Sequence, residues 1–345
     1  MKKILVALSG GVDSSTTAFL LKQQGFEVAA VTLKLYDSRS KTSASFQAVE
    51  DSKKVCDFLN IKHYVFDLQK EFKDTIIKNF ISSYLSATTP NPCVICNKKI
   101  KFGLLLDYAQ QLGFDRLATG HYATIEKSDN EYKLKVGKDK SKDQTYFLYR
   151  LTQKELSKTL FPLGDYTKEE IRSISLSAKL PVANKPDSQE ICFIENSYHD
   201  FLENNIENFN KKVLPGLIVD TDGKKLGKHK GLIYYTVGQR SGLGLTTPEP
   251  VYVLKIDKAT NTIVVGTKKE VFSRTAKIKD ITFVSEKFDD TDFKAKVKIR
   301  RMHAPANALI SKDIILFDEE QASITPGQSA VFYNNDYVLG GGFIV

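Results

Sequence analysis

The sequence is poor in cysteine, with four residues in 345, at positions 56, 93, 96 and 192. So few thiols, so unevenly spaced, exclude a disulfide-framed scaffold and suit a reducing compartment in which any cysteine chemistry is catalytic or incidental. Only Cys93 and Cys96, within "TPNPCVICNKKIKFG", have the Cys-x-x-Cys spacing, and no second pair completes a zinc cage. No window approaches about 18 consecutive apolar residues, which excludes a membrane-spanning helix. The opening "MKKILVALSGG" has two lysines and an apolar run too short for a secretory leader, so it reads as a first strand. The Gly-Lys-Ser/Thr ending of a Walker loop, the G-x-G-x-x-G spacing of dinucleotide binders, internal repeats and low-complexity segments are also absent.

What is present is a globular composition. With 41% hydrophobic and 26% charged residues, a chain this long buries a good core and divides into two or three domains. The net charge of +9 fits a polyanionic partner such as nucleic acid, and fits plain solubility equally well. The excess is spread along the chain. Its sharpest local forms are "KLKVGKDKSK" (133–142) and "KAKVKIRRMH" (294–303), either of which also reads as the solvated edge of a β-ribbon.

The first 120 residues alternate between short β-rich runs and helical patterns. The runs are "KILVAL" (3–8), "VAAVTLKL" (28–35), "HYVFDL" (63–68) and "RLATG" (116–120); the helical patterns include "FQAVEDSKKVCDFLN" and "KKIKFGLLLDYAQQLG". Such alternation predicts an α/β fold, a parallel sheet with helices on both faces. Ligands of these sheets bind at the carboxyl ends of the strands, so the loops after Leu8, Leu35 and Ala118 should share one crevice. Beyond about residue 200 the texture turns to β-rich runs broken by glycine and turn pairs. "VYVLKIDKATNTIVVG" reads as a hairpin, and "AKVKIRRM" with "SAVFYNNDYVLGGGFIV" predicts a C-terminal antiparallel β-barrel. "LPGLIVDTDGKKLGKHKGLIYYTVGQRSGLG" has too many glycines and too few long runs to read as core, which suggests a small central domain. The expected division is 1–200, 201–266 and 267–345.

"ALSGGVDSS" lies between the first strand and the apolar-periodic "TTAFLLKQQG". Gly10 and Gly11 permit backbone angles closed to other residues, so the N–H groups of the turn can converge on an anion at a helix N-terminus. Ser9, Ser14 and Ser15 add hydroxyl donors, and Asp13 is a candidate for Mg²⁺ held against phosphate oxygens. A bare Gly-Gly would be an ordinary strand-to-helix turn; the full "SGGVDSS" at the first βα turn reads as a nucleotide site.

"SGGVDS" resembles the loop of the N-type ATP pyrophosphatases, which cleave ATP between its α- and β-phosphates and adenylate a carbonyl oxygen. "TPNPCVICNKKIKF", "ATGHYA", "KDQTYFL", "NKPDSQEICFI" and "YTVGQRSGLG" together resemble the bacterial tRNA-specific 2-thiouridylases, nearly end to end. The resemblance implies an adenine nucleotide alpha hydrolase-like first domain, ATP as substrate with Mg²⁺, and tRNA as partner. The anticodon arm would be the part bound, in tRNAs for lysine, glutamate and glutamine. It also implies a persulfide sulfur donor or relay protein, a cytoplasmic location and no dedicated metal cage; a monomer is expected. By motif position Cys192 would carry the persulfide and Cys96 would be its partner nucleophile. Ala7, Leu8, Ser9, Gly10, Gly11, Val12, Asp13 and Ser14 would cradle ATP, with Leu33 lining the adenine pocket and Gly120 allowing close approach. Asn91, Pro92, Cys93, His121, Lys142, Asp143, Gln144, Arg300, Arg301 and Gln328 would meet tRNA.

Some of these readings have rivals. Many members of the family carry aspartate where Cys93 stands, which leaves proton transfer unassigned and Cys93 as a thiol, a base contact or a bystander. For the Cys-x-x-Cys pair a zinc half-site or a redox pair remains open. His121 reads equally well as a structural histidine, Leu33 alone would be core, and Cys56 on its amphipathic helix reads as core. Lys98 and Lys99 are expected to favour the Cys96 thiolate, and residues 84–97 are expected to form a long loop. A ligase using ammonia or an amino acid would explain the phosphate loop but leave Cys96 and Cys192 idle. A non-enzymatic RNA-binding protein would explain the charge but not the intact loop.

Overall fold

The computed structural model describes residues 1–36, 44–128, 130–187, 191–194, 197–285 and 292–345. Within the motif "NKPDSQEICFI", positions 188–190 lie outside the described residues.

β1 (Lys3–Ala7) begins the first sheet, and its side chains show why this sheet is covered on both faces. Ile4 and Val6 join one buried cluster with Ala18, Leu21 and Val55, whereas Leu5 enters another with Val31 and Leu117. β2 (Glu27–Lys34), β3 (Lys62–Asp67), β4 (Arg116–Ala118) and β7 (Thr159–Leu160) complete a parallel sheet of order β3-β2-β1-β4-β7. Four of these strands match the sequence expectation to within two residues at either end. The order reverses direction between β1 and β4, so the switch point, where ligands of open α/β sheets bind, lies between the turns after Ala7 and Ala118.

α1 (Val12–Gln23) follows the glycine turn. Its first half is rich in small hydroxyl residues, and each finds a backbone acceptor: Ser15 Oγ donates to Gly11 O at 2.8 Å and Thr16 Oγ1 to Val12 O at 2.8 Å. Polar side chains are thereby buried against the sheet without unpaired groups. α2 (Ala44–Leu59) covers the same face through Val55 and Cys56, so Cys56 is core as expected.

β8 (Gly216–Val219), β9 (Lys225–His229), β10 (Tyr252–Asp257) and β11 (Thr262–Gly266) form a second sheet of order β10-β11-β8-β9. The expected hairpin is β10–β11. The glycine-rich stretch before it was expected to stay out of the core; instead Ile218, Ile233 and Leu243 are buried in the largest apolar cluster, beside Phe72, Phe80 and Phe193. Its runs are short because each strand supplies only one or two apolar anchors to a shared core.

β12 (Phe272–Phe283), β13 (Phe293–Lys298), β14 (Ala306–Ser311), β15 (Ile314–Ala322), β16 (Ser329–Asn334) and β17 (Tyr337–Ile344) pair antiparallel and close into a six-stranded barrel through β12–β17. A hairpin from the first part of the chain, β5 (Thr124–Ser128) and β6 (Glu131–Lys135), extends this sheet by pairing Lys135 with Tyr337. Residues 84–97 are not one long loop. The helix Lys78–Leu85 runs into them and Pro92–Cys96 is helical, leaving a short connection whose Thr89 N–H bonds Pro326 O at 2.9 Å.

Candidate active site

The phosphate loop is built at the carboxyl end of β1. Gly10 has φ +67, the left-handed region that favours glycine, and Gly11 caps α1 in extended conformation. Ser14 Oγ accepts the Ser9 N–H at 3.0 Å and lies 3.0 Å from Ser9 Oγ, so the turn is held by its own hydroxyls. Ala7 and Leu8 lead in from β1, Leu8 donating its N–H to Val31 O, and Val12 begins the helix. A side chain at Gly120 would sit 3.0 Å from the Ser14 N, so the end of β4 touches the start of α1. The crevice expected from topology is thus closed on two sides by backbone. Leu33, near the end of β2, is half-buried and packs against both large clusters.

Asp13 is already engaged. Its Oδ1 accepts from the Tyr122 hydroxyl at 2.9 Å and from Lys168 Nζ at 2.7 Å. Lys168, with a side chain 10% exposed, also reaches Asp187 Oδ1 at 2.8 Å, and Arg172 pairs with Asp187 at 2.6 Å. Lys185 bridges the Gly10 carbonyl at 3.1 Å and Asp51 at 2.8 Å. Burial raises the Asp187 carboxyl, but the Lys168 hydrogen bond and the charges of Lys168 and Arg172 outweigh it and hold the group below the usual carboxylate range. No cluster of three or more His, Cys, Asp or Glu suited to a metal occurs among the described residues. Two ammonium groups stand at the edge of the turn, each paired with carboxylates, Lys168 with Asp13 and Asp187 and Lys185 with Asp51.

The thiols lie beyond Gly120. His121 is buried; its Nδ1 is 2.7 Å from Thr119 Oγ1, and its ring is 5.8 Å from Phe102. Burial, and secondarily Lys101, push His121 well below its ordinary pKa, so the ring is neutral at pH 7. Phe102 follows Cys96 on one continuous helical run made of Pro92–Cys96, the π-helical Asn97–Leu104 and Leu105–Gln111. Asn91 precedes the run, buried, and Pro92 is its first residue, where a missing N–H costs nothing. Cys96 is buried, Cys93 half-buried and Cys192 exposed, and all three are free thiols.

The three sulfur atoms share one electrostatic neighbourhood. Burial pushes Cys96 up to about 12, Lys101 opposes this, and the Cys192 and Cys93 thiols add to it. Cys192 is open to solvent, yet the surrounding protein raises it to about 11; Cys93 adds to the rise and Lys101 opposes it. Cys93 is raised by burial, against Lys101 and Arg301. Phe193 anchors the Cys192 segment in an aromatic cage, with ring centroids 5.6 Å from Phe72, 5.3 Å from Phe80 and 5.0 Å from Phe201. Cys96 belongs to the same cluster.

The lysines expected to act on Cys96 are in the wrong places. Lys98 Nζ pairs with Glu155 at 2.8 Å, and Lys99 is exposed; the cation near the thiols is Lys101. The remaining candidates divide between surface and interior. Arg301 is exposed and lies over the Phe147 ring at 5.8 Å, and Arg300 is half-buried beside it. Lys142 is half-buried, its N–H bonding Asp139. Asp143 is turned inward to Thr145 and Lys298, and Gln144 exchanges hydrogen bonds with the Tyr122 backbone. Gln328 Nε2 donates to the carbonyls of Thr89 at 3.1 Å and Pro90 at 3.3 Å, so the barrel holds the loop leading to Cys93. Sequence reasoning missed Lys101, Lys168 and Lys185. The last sits in the quoted "NKPD" motif, whereas nothing in the local pattern marks Lys168.

A parallel sheet whose switch point carries a Ser-Gly-Gly turn at a helix N-terminus is the nucleotide-binding fold of the N-type ATP pyrophosphatases. The tRNA methyl transferase HUP domain model matches residues 2–196, the tRNA methyl transferase PRC-barrel domain 199–267 and the aminomethyltransferase beta-barrel domain 273–344. The tRNA-specific 2-thiouridylase MnmA of Halothermothrix orenii is 44% identical, covering 100% of this chain and 99% of its own length. MnmA 2 of Thermoanaerobacter sp. is 46% identical, covering 99% and 97%, and MnmA of Clostridium botulinum is 45% identical, covering 99% and 98%. The chain belongs to the tRNA-specific 2-thiouridylase family, a group of tRNA-uridine 2-sulfurtransferases.

Proposed function

We propose that the protein binds ATP at the Ser9–Ser14 turn and uses it to replace O2 of the wobble uridine of tRNA by sulfur carried on Cys192. Uracil C2 is a urea-like carbonyl with a hopeless leaving group, so its oxygen must first be activated. O2 attacks the α-phosphorus as the N3 proton leaves, and pyrophosphate departs. The outer sulfur of a Cys192 persulfide then attacks C2 and AMP leaves with the former O2. The Cys96 thiolate attacks the inner sulfur, forming a Cys96–Cys192 disulfide and returning the S–S electron pair to the sulfur on C2. Protonation of N3 completes 2-thiouridine, and a cellular thiol supplies two electrons to reopen the disulfide.

The observation carrying this reading is the convergence of Cys96 and Cys192, two thiols from distant segments, next to a helix whose His121 neighbour adjoins the phosphate loop. The turn fits a nucleotide: hydroxyls of Ser9 and Ser14, the N-terminus of α1 and the ammonium groups of Lys168 and Lys185 face one region. Mg²⁺ fits best as a companion of the nucleotide phosphates, with Asp13, a carboxylate carried by the loop itself, as a candidate ligand once released from Lys168. Buried, neutral His121 would accept or donate one hydrogen bond at the reacting base. Arg300 and Arg301, on the barrel side of the thiols, are suited to the tRNA backbone and unstacked bases. A wobble base leaves a single-stranded loop at low cost. No helix among the described residues is long and apolar enough to cross a membrane.

Cys192→Ser tests the assignment. With unmodified tRNA, ATP and a persulfide donor, the variant should form no 2-thiouridine by mass spectrometry while still releasing pyrophosphate in a tRNA-dependent manner. Normal thiolation by the variant would refute the role of Cys192.

A further inference from the structure

The π-helical turn after Cys96 has a consequence for charge. On an α-helix a residue five positions on lies about 140° away around the axis, so Lys101 would point away from Cys96. The stretch Asn97–Leu104 closes i→i+5 bonds instead, with the Leu105 N–H reaching Ile100 O, and five residues then make close to one full turn. Lys101 returns to the Cys96 side of the run. It is half-buried and, among the described residues, has neither a hydrogen-bond nor an ion-pair partner. The nearby lysine with an obvious carboxylate is Lys98, on Glu155.

We propose that Lys101 is a positioning residue for sulfur transfer: its ammonium, delivered by the π turn, is the shared counter-charge that lets Cys96 and Cys192 ionise in turn. The inference rests on the reading of Cys192 as sulfur carrier and Cys96 as resolving thiol, and extends it to the group that makes both competent.

The electrostatic surroundings support the assignment. Cys96 faces Lys101, Cys192 and Cys93; Cys192 faces Cys93 and Lys101; Cys93 faces Lys101 and Arg301. Burial disfavours the Cys93 and Cys96 thiolates and the surrounding protein that of Cys192; Cys93 opposes ionisation of Cys96 and Cys192, and Cys192 opposes that of Cys96. Lys101 acts in the favourable direction on all three, whereas Arg301 helps only Cys93 and a backbone hydrogen bond helps only Cys192. An unpaired ammonium also changes partners without breaking an existing ion pair. As the thiolate passes from Cys192, when it takes up the outer sulfur from the persulfide donor, to Cys96, in the resolving attack, Lys101 follows it.

The test is peptide-resolved alkylation of Cys96 and Cys192 by iodoacetamide across pH, on the full-length protein without substrates, with thermal unfolding as the control for folding. Lys101→Met should slow alkylation of both thiols about tenfold at fixed pH, equal to about one unit of pKa. Lys101→Arg should stay within about threefold of the unsubstituted protein, and Lys101→Gln, which keeps length and polarity, serves should the methionine variant not fold. Unchanged alkylation in the methionine or glutamine variant overturns the proposal. Unchanged alkylation with a tenfold loss of tRNA affinity by filter binding assigns Lys101 to an RNA phosphate and overturns it equally. Because the readout needs no turnover, normal thiolation by Cys192→Ser would refute the underlying mechanism without altering this result.

Discussion

Lys168 shows how much one side chain is asked to do. Its ammonium lies between the Asp13 and Asp187 carboxylates, and removing it leaves two partly buried anions with only Arg172 and the Tyr122 hydroxyl for company. Breaking a buried pair by deleting one partner costs about 3–5 kcal/mol; Asp13 and Asp187 retain partial solvent access, so Lys168→Met should lie toward the lower end. The pH dependence has a definite sign. Asp187 is held below its ordinary value, so its contribution is present above about pH 4 and is lost as acid protonates it. Urea denaturation at pH 7 and pH 3 should show the full penalty at neutrality and a smaller difference in acid. An equal penalty at both would mean that Lys168 acts through packing. At this scale the sequence was legible where residue type and motif suffice, as at Gly10, with its left-handed backbone, and Gly120, packed against the start of α1. It was illegible where a contact spans 155 positions, as between Asp13 and Lys168, or where a helix changes pitch. Lys98 and Lys99 follow Cys96 closely in sequence, but the wide turn puts Lys101 on its side.

The elements that position the thiols are the helical run Pro92–Gln111 and the aromatic cage around Phe193. Phe193 is 2% exposed and meets three other phenylalanine rings edge-on or tilted, so it fixes the neighbouring Cys192 by packing. Phe193→Ala should destabilise the protein by about 3–5 kcal/mol in urea denaturation. It should also impair sulfur transfer more than tRNA-dependent pyrophosphate release. A variant as stable as its parent would show that the cage is not what seats Cys192. The strands of the first sheet were legible because buried parallel strands read as continuous apolar runs. Of the central sheet the hairpin β10–β11 was legible but β8 and β9 were not, because these short glycine-bearing strands carry too few core residues for a periodic signal. The expected loop over 84–97 is shortened to 86–91 because Pro92 starts a helical turn that the following apolar residues bury.

Across the whole molecule, the barrel is tied to the catalytic part rather than appended to it. Gln328 holds the carbonyls of Thr89 and Pro90, Tyr146 donates to Ser329 O at 2.9 Å, and Lys298 faces Asp143 at 3.7 Å. The hairpin β5–β6 extends the barrel sheet from within the first part of the chain. None of this was legible in the sequence, since docking between sheets depends on single hydrogen bonds between residues more than a hundred positions apart. The result is a barrel joined by side-chain contacts to the segment that leads to Cys93 and Cys96, an arrangement that the proposed presentation of a tRNA loop to a nucleotide would use.

The most direct test of the account is a single turnover. Enzyme loaded with one persulfide equivalent, given ATP and unmodified tRNA without reductant, should yield one 2-thiouridine and one Cys96–Cys192 disulfide per chain, both read by mass spectrometry. Formation of 2-thiouridine with both thiols left free, or of a disulfide that omits Cys192, would contradict it.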